Sequence, residues 1–279
     1  MKKKSMRLII TAMVATLSMG VLVGCGEKKS SEGGDNVTTI SISGSTSIGP
    51  LMEKEAEAYK SENSNVNIEI QQIGSSAGIK NTISGVSEIG MASRELKEQE
   101  KAEVTETVIA YDGIALVVHP NNTAENLTME QIKEIYTGKI TNWKEVGGKD
   151  APIVVVSRDE SSGTRDAFQE LVGFNSEELE KTATIADGNG SVKTTVATNE
   201  NAIGYISFEQ IDDSVKALKV DDVEATAENV LSKAYKLSRP FLVVYKDSNI
   251  TEAGKKFIDY ILSDAGQNIV EEAGGIKVK

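Results

Sequence analysis

Short strand-like segments alternate with longer helix-like segments along the chain from Thr38 onward, and this alternation indicates the fold class. Residues 39–43 and 66–73 alternate apolar and polar side chains with a period of two, as half-buried strands do. Strands that alternate with helices predict an α/β fold, in which helices cover a parallel or mixed sheet. In such sheets, ligands bind at the carboxyl ends of the strands, where the next helix begins.

Periodicity, turn residues and capping residues give the predicted boundaries of these segments. Thr128 is a predicted N-cap for the helix that it starts. The predicted strands are 39–43, 66–73, 89–93, 109–118, 153–156 and 241–245. The predicted helices are 51–60, 128–137, 165–172, 253–262 and one that starts with 79–83.

Three turns rich in serine, threonine and glycine lie between a predicted strand and a predicted helix. The first turn is Gly44–Ser47, the second is Gly74–Gly78 and the third is Ser161–Thr164. Each turn places backbone N–H groups and hydroxyl groups at a helix N-terminus, where the helix dipole adds about half a positive charge. Such a terminus can bind an anion without a lysine. Arg158 precedes the third turn and adds a full charge with a planar set of donors that suits oxyanions.

Each of these turns also has a plain structural interpretation, because serine, threonine and glycine are common helix caps and turn residues. Three such turns in one chain, one of them beside an arginine, leave an oxyanion site and simple capping as equal alternatives. The acidic charge of the chain does not exclude an anion site. A short hydrogen bond to a charged group contributes about 1.5–3 kcal/mol, which can overcome screened repulsion at long range.

The second turn also matches the G-x-S-x-G pattern of hydrolase nucleophiles, and Asp112 and His119 follow it in the order Ser, Asp, His. These two residues are seven positions apart around one predicted strand. An extended chain of that length spans about 23 Å, so the two side chains cannot hydrogen-bond to each other. We therefore interpret the pattern as a coincidence and expect no catalysed reaction.

The N-terminal region predicts export and lipidation. An uncharged, mostly apolar run of 16 residues, 8–23, follows four basic residues, which is typical of a secretory signal and not of a spanning helix. The run leads into Cys25, the only cysteine of the chain, and Leu-Val-Gly-Cys resembles the lipobox of bacterial lipoproteins. We predict a signal peptide at 1–24, a lipid anchor at Cys25 and a polar tether at 25–36.

Charge and composition exclude several classes of protein. Loss of residues 1–24 removes four positive and no negative charges, so the net charge falls from −12 to −16. A chain this acidic argues against nucleic acid as its main partner. One cysteine excludes a disulfide framework or a multi-cysteine metal site, and one histidine excludes a histidine-rich metal site. We expect neither a metal nor a cofactor.

Eight segments together resemble the phosphate-binding proteins of bacterial phosphate ABC transporters, the PstS family, in their lipoprotein form. The resemblance covers the chain from Thr39 to the C-terminus. The segments are GSTSIGPLM (44–52), GSSAGIKNTISG (74–85), EIGMASRELKEQE (88–100), YDGIALVVHP (111–120), LTMEQIKEIYTGKITNWKEVGG (127–148), SRDESSGTRDAF (157–168), AIGYIS (202–207) and SRPFLVVYK (238–246).

The resemblance implies a two-lobed periplasmic-binding-protein-like fold of type II, with two crossover strands and a hinged cleft that closes on one phosphate. Lobe one would comprise 37–112 and 241–279, and lobe two 113–240, with crossings near 111–118 and 239–245. It also implies inorganic phosphate as ligand, the membrane permease of the transporter as partner, and a monomer. The lipid anchor would hold it on the extracytoplasmic face of the cell membrane.

The resemblance further implies which residues form the phosphate site. Donors come from the three turns, Arg158 is the cationic clamp, and Ser76 is favoured over its neighbour in the second turn. The implied donors are Ser45, Thr46, Ser47, Ser75 or Ser76, Ser162, Gly163 and Thr164.

One position departs from the family pattern. Better-studied members carry an aspartate that accepts the proton of hydrogen phosphate, whereas this chain has Arg94 after Ala92-Ser93. Arg94 is interpreted either as a phosphate contact or as part of a surface salt bridge. We expect Asp112 to replace the missing acceptor, with capping of its loop as the alternative, and Glu160 to point toward Arg158.

Two other functions stay open from the sequence. A binding protein for sulfate or molybdate would keep the same turns. A signalling or adhesion lipoprotein that reuses the fold would bind no anion at all.

Overall fold

The computed structural model describes residues 37–278. The predicted signal peptide, Cys25 and the tether up to residue 36 lie outside the described residues. The helices are α1 Gly49–Glu62, α2 Ser75–Ser84, α3 Glu98–Lys101, α4 Met129–Tyr136, α5 Gly163–Val172, α6 Asn189–Ala197, α7 Ala227–Leu231, α8 Glu252–Ile261 and α9 Asp264–Glu272. The strands are β1 Thr38–Gly44, β2 Val66–Gln72, β3 Ile89–Ala92, β4 Thr105–Val118, β5 Asn126–Leu127, β6 Val154–Arg158, β7 Thr184–Ala186, β8 Ala202–Ser207, β9 Lys216–Ala217, β10 Lys219–Val220 and β11 Ser238–Tyr245. Within residues 37–278, no helix combines the length and the apolar character that a membrane span needs.

A mixed sheet runs through the described structure, as the alternation of segments predicts. Its strands lie in the order β2-β1-β3-β11-β4-β8-β6-β7, with β9 beside β4, and β5 and β10 form a separate parallel pair. β1 is parallel to β2 and β3, and β6 is parallel to β7 and β8. β4 and β11 are antiparallel to their neighbours in the middle of the sheet.

β4 connects the two halves of the sheet. Its residues 105–113 pair with β11, and its residues 114–118 pair with β8. β11 starts opposite Gly113 and then runs between β4 and β3. The two predicted crossings therefore correspond to β4 and β11, which link the half built on β1–β3 to the half built on β6–β8.

The buried apolar side chains divide in the same way. Two clusters on the first half draw their buried members from residues 40–110 and 241–270. Two clusters on the second half draw theirs from residues 114–237 and from Ile276. The exact boundaries of the lobes at 112 and 240 stay a prediction.

Close packing at glycines brings the first two turns together. Gly44 has φ 144°, and a Cβ there would lie 2.3 Å from the carbonyl oxygen of Met91. Gly78 of α2 lies against this bend, because its own Cβ would lie 2.4 Å from Gly44 Cα. Gly74, at φ 90°, completes the second turn, so α2 begins at Ser75 and the predicted extension of that turn to residue 78 is wrong.

Candidate functional site

The three turns meet at one place, at the carboxyl ends of β1, β2 and β6. The hydroxyl groups of Ser47, from the first turn, and Thr164, from the third, are hydrogen-bonded at 2.8 Å. The backbone N–H of Ser76, from the second turn, donates to the carbonyl of Ser161 in the third at 3.2 Å. The arrangement concentrates helix N-termini and hydroxyl groups around one small volume.

Arg158 is a buried cation at this place. It ends β6, and only 1% of its surface is exposed. Its Nη2 donates to Thr46 Oγ1 at 3.0 Å and its Nη1 donates to Asn189 Oδ1 at 3.3 Å. Its Nε has no hydrogen-bond partner in the part of the chain that the structure describes. Among residues 37–278, one carboxylate oxygen lies within 4.0 Å of the guanidinium, that of Asp159, at the full 4.0 Å. Burial lowers the pKa of Arg158, because the charge is poorly compensated.

Side chains from two other elements hold the backbone of Arg158. Tyr205 Oη of β8 accepts from the Arg158 N–H at 3.2 Å and is hydrogen-bonded to Ser157 Oγ at 2.9 Å. Arg165 Nη1 of α5 donates to the Arg158 carbonyl at 3.1 Å. The guanidinium is therefore presented from a backbone that is fixed on both sides.

Ser47 is the meeting point of the hydroxyl groups and a second arginine. Besides Thr164, its Oγ accepts from Asn189 Nδ2 at 3.0 Å and from Arg239 Nη2 at 3.3 Å. Asn189 starts α6 and Arg239 lies near the start of β11. Both side chains are almost fully buried.

Arg239 forms a buried ion pair with Asp112. Its Nε and Nη2 donate to Asp112 Oδ2 at 3.0 and 2.8 Å, and its Nη1 donates to the carbonyl of Ser93 at 3.1 Å. Asp112 Oδ1 accepts from Ser207 Oγ at 2.8 Å and from the Phe208 N–H at 3.2 Å. Burial raises the pKa of Asp112, and the Arg239 guanidinium and the two other donors oppose that rise. A carboxylate offers about four acceptor positions, so these four donors leave none free.

We call the group around Ser47 the cradle. It joins four of the residues that the sequence analysis selected with two that it did not. Its members are Thr46, Ser47, Arg158, Thr164, Asn189 and Arg239.

Four further predicted residues support the turns around the cradle. Ser45 Oγ accepts from the N–H groups of Ser47 and Ile48 just before α1, at 3.1 and 3.3 Å. Ser162 Oγ caps α5. Ser75 Oγ lies so close to Gly163 that a Cβ at position 163 would come within 2.1 Å of it. Gly163 thus keeps the second and third turns in contact.

Arg94 and Ser76 lie in an ion cluster beside the cradle. Arg94 is only 2% exposed, and its Nη1 and Nη2 donate to the Glu100 carboxylate at 2.7 and 2.9 Å. Its Nε lies 2.9 Å from Asp166 Oδ2, and its Nη2 also donates to Ser76 Oγ at 3.2 Å. These carboxylates satisfy Arg94, so the structure favours a salt bridge, buried and not on the surface, over a direct phosphate contact.

Two further sequence predictions concern Glu160 and the G-x-S-x-G pattern. Glu160 is exposed and is not within ion-pair distance of Arg158. His119 Nδ1 accepts from the Asn121 N–H at 3.0 Å in a turn, and all four acceptor positions of Asp112 are used elsewhere. The residues of the G-x-S-x-G pattern therefore have no histidine–aspartate pair to activate a serine.

Several known proteins resemble this chain in sequence. The sequence profile of the PBP superfamily domain matches residues 29–265. The phosphate-binding protein PstS of Bacillus subtilis is 33% identical over 288 residues, which cover 99% of this chain and 95% of that protein. PstS of Borreliella burgdorferi is 30% identical and covers 97% of this chain and 99% of its own length. The chain belongs to the PstS family of the PBP superfamily.

Solved structures agree with this family. A phosphate ABC transporter substrate-binding protein from Clostridium perfringens, with bound phosphate, is 66% identical over 87% of this chain and all of that chain, with a TM-score of 0.86. An ABC-type phosphate transport receptor from Vibrio cholerae is 39% identical over 86% of this chain and all of its own, with a TM-score of 0.75. These matches confirm the two-lobed periplasmic-binding-protein fold. PstS proteins are transport binding proteins, so the chain is not an enzyme, as predicted.

Two residues of the cradle in this PstS-family chain, Asn189 and Arg239, were not predicted from the sequence. Asp187 and Gly188 follow β7 and form a fourth small-residue turn before α6, which begins at Asn189. The pattern that identified the other three turns could therefore have identified Asn189. Arg239 lies within the SRPFLVVYK segment that carried the resemblance, but no local pattern indicates its partner Asp112, 127 positions away.

Proposed function

We propose that this chain captures inorganic phosphate outside the cytoplasm and delivers it to the membrane permease of a phosphate ABC transporter. The observation that supports phosphate most directly is Arg158. A buried guanidinium with no carboxylate closer than 4.0 Å among residues 37–278 is costly unless an anion neutralises it. The names of its PstS relatives and the phosphate bound in the Clostridium perfringens protein agree with that anion.

The cradle has the chemistry that a phosphate dianion requires. Arg158 provides a weakly compensated charge, because its nearest carboxylate oxygen among the described residues is 4.0 Å away, while the charge of Arg239 is balanced by Asp112 at 2.8 Å. Thr46, Ser47 and Thr164 contribute neutral hydroxyl groups, which can donate to phosphate oxygens or accept a phosphate proton. In this proposal phosphate replaces the contacts that Arg158 makes with Thr46 and Asn189.

The proton of hydrogen phosphate has no carboxylate acceptor in this proposal. Asp112 is saturated by four donors, and Arg94 stands where better-studied members carry aspartate. The acceptor is then a hydroxyl or a backbone carbonyl. Because no carboxylate acceptor selects for a protonated anion, sulfate, which carries no proton, is the second candidate ligand.

The donors lie on both predicted lobes, so phosphate favours the closed form. The first and second turns belong to lobe one, and the third turn and Arg158 belong to lobe two. A ligand that contacts both shifts the open–closed equilibrium by its preference for the closed state. The permease would recognise the closed monomer.

We propose that Cys25 carries the lipid anchor that holds the protein on the extracytoplasmic face of the cell membrane. A Cys25→Ala variant should lack an acyl label and be found in the medium or as uncleaved precursor. Metabolic labelling with a fatty acid measures this directly. Equal labelling of the variant would exclude Cys25 as the anchor.

Calorimetric titration with phosphate, sulfate and molybdate tests the proposed ligand. We expect one phosphate to bind per chain, more tightly than either competitor. Tighter binding of sulfate or molybdate would transfer the function to that anion. The absence of binding to all three would favour a signalling or adhesion role.

A further inference from the structure

The ion cluster at Arg94 joins the two predicted lobes. Arg94 follows β3 in lobe one, and Asp166 lies on α5 in lobe two. Arg94 Nε and Asp166 Oδ2 are 2.9 Å apart. The exposed fractions of the two side chains are 2% and 25%, so the pair is largely shielded from water. We call it the interlobe ion pair.

The interlobe ion pair is distinct from the cradle, and Ser76 of the second turn lies against both of its partners. Ser76 Oγ lies 3.2 Å from Arg94 Nη2 and 3.5 Å from Asp166 Oδ2, and its backbone N–H donates to Ser161 across the same boundary. Among residues 37–278, no hydrogen bond or ion pair joins Asp166 to a member of the cradle. Asp166 can therefore act on the closed form without touching the ligand.

We propose that Asp166 sets the affinity for phosphate by holding the lobes closed through its ion pair with Arg94. The inference rests on the proposed function, because it concerns the same open–closed equilibrium. Arg94, which replaces the aspartate of better-studied members, then serves closure instead of ligand recognition. Opening the lobes separates Arg94 from Asp166, whereas the bond between Arg94 and Glu100 stays within lobe one.

The consequence for affinity follows from population shift. The observed dissociation constant equals the intrinsic constant divided by the fraction of binding-competent molecules. Removing one partly buried charged contact from the closed form alone lowers that fraction. Because the Asp166 side chain is 25% exposed, solvent weakens this contact relative to a fully buried charged bond, and phosphate affinity should fall by about 3- to 20-fold.

The structure makes Asp166→Asn a clean variant. Loss of the Asp166 charge leaves Arg94 neutralised by the two bonds to Glu100. The other cation near Asp166 is Lys97, 4.0 Å away and 67% exposed, so it stays solvated. No buried charge is left without a partner, and the fold should keep its stability.

Glu170 supplies a matched control. It lies on the same helix as Asp166 and is exposed. Both side chains line one surface groove of about 750 Å³. Glu170→Gln removes the same charge from the same region without touching the interlobe ion pair. Asp166→Glu keeps the charge and should retain more affinity than Asp166→Asn.

The experiment measures phosphate binding by calorimetry and phosphate release by stopped flow for the wild type and the three variants. We expect Asp166→Asn to bind about 3- to 20-fold more weakly through faster release, Glu170→Gln to stay within twofold, and all phosphate-free melting temperatures to agree. An Asp166→Asn affinity within twofold of wild type, or a loss equal to that of Glu170→Gln, overturns the inference while the proposed function stands. A wild type that binds no phosphate overturns both.

Discussion

At the scale of single residues, the two buried arginines of the cradle differ in how closely a carboxylate compensates their charge. Arg239 has its counterion within 2.8 Å, whereas the nearest carboxylate to Arg158 among the described residues is at 4.0 Å. A buried cation with a close counterion is stable without a ligand, whereas a weakly compensated one gains free energy when an anion binds. Arg158 is therefore the residue on which phosphate affinity should depend most.

Arg158→Ala tests that dependence. Truncation of one partner of a buried, charged hydrogen bond costs about 2–5 kcal/mol, so phosphate affinity should fall by at least tenfold. Titration calorimetry measures the change. Lys139→Ala, which removes an exposed cation from the second half, is the control and should bind as wild type. Equal affinities of the two variants would remove Arg158 from the site.

Asp112→Asn distinguishes the acceptor predicted from sequence from the ion pair found in the structure. The ion pair predicts a loss of about 3–5 kcal/mol in unfolding free energy, because Arg239 loses its buried counterion. It also predicts that phosphate and sulfate affinities change by the same factor. Denaturant unfolding and competitive titration measure the two effects. A selective gain of sulfate affinity would restore Asp112 as the acceptor of the phosphate proton.

The sequence selected neighbouring residues of the cradle where the signal is local, and it did not select those that depend on long-range pairing. Thr46, Ser47 and Thr164 follow strands in turns that precede helices, and the structure brings them together. Arg239 and Asp112 are far apart in the sequence, and the antiparallel pairing of β4 with β11 places them opposite each other. The sequence alone does not reveal this strand register, so it gives no reason to pair the two residues.

At the scale of secondary structure, the helices marked by both a capping residue and apolar periodicity were predicted from the sequence. Thr128 caps α4 by accepting from the Gln131 N–H, as predicted, and Arg165–Val172 lies within α5. α6 and α9 were missed. α6 begins with Asn, Gly and Ser, which are weak helix formers. Only two residues separate α9 from the end of α8, and the predicted helix 253–262 accounts for α8 alone.

Helix α1 carries a buried carboxyl group that makes stability depend on pH. Glu55 is fully buried, and neither of its carboxyl oxygens has a hydrogen-bond partner among the described residues. Burial raises the pKa of Glu55 to about 8. An unfolded glutamate titrates near 4.5, so its protonated form favours folding. The contribution of this group is complete below about pH 4.5 and is lost as the pH rises through about 8.

Glu55→Gln should remove that dependence. Between pH 5 and 9 the unfolding free energy of the wild type should fall by a few kcal/mol more than that of the variant, at about 1.4 kcal/mol per pKa unit. Denaturant unfolding across this range measures the difference. Glu57→Gln, on the exposed face of the same helix, should follow the wild type. Parallel curves for Glu55→Gln and wild type would contradict a raised pKa.

At the scale of the whole molecule, the proposed function depends on two halves of the sheet whose side chains meet in the cradle. Alternation of strands and helices predicted the sheet and its covering helices, but not the pairing of β4 with β8 that joins the halves. The resemblance to PstS supplied the two lobes, and the comparisons confirmed them. The position of each lobe's boundary depends on long-range pairing, which periodicity does not encode.

A crystal structure of the protein grown with phosphate tests the central claim most directly. We predict one phosphate in the cradle, with its oxygens about 2.7–3.2 Å from the Arg158 guanidinium and from the hydroxyl groups of Thr46 and Thr164. Arg158 would then give up its contact with Asn189 Oδ1. Phosphate bound elsewhere, with Arg158 still on Asn189, would contradict the account.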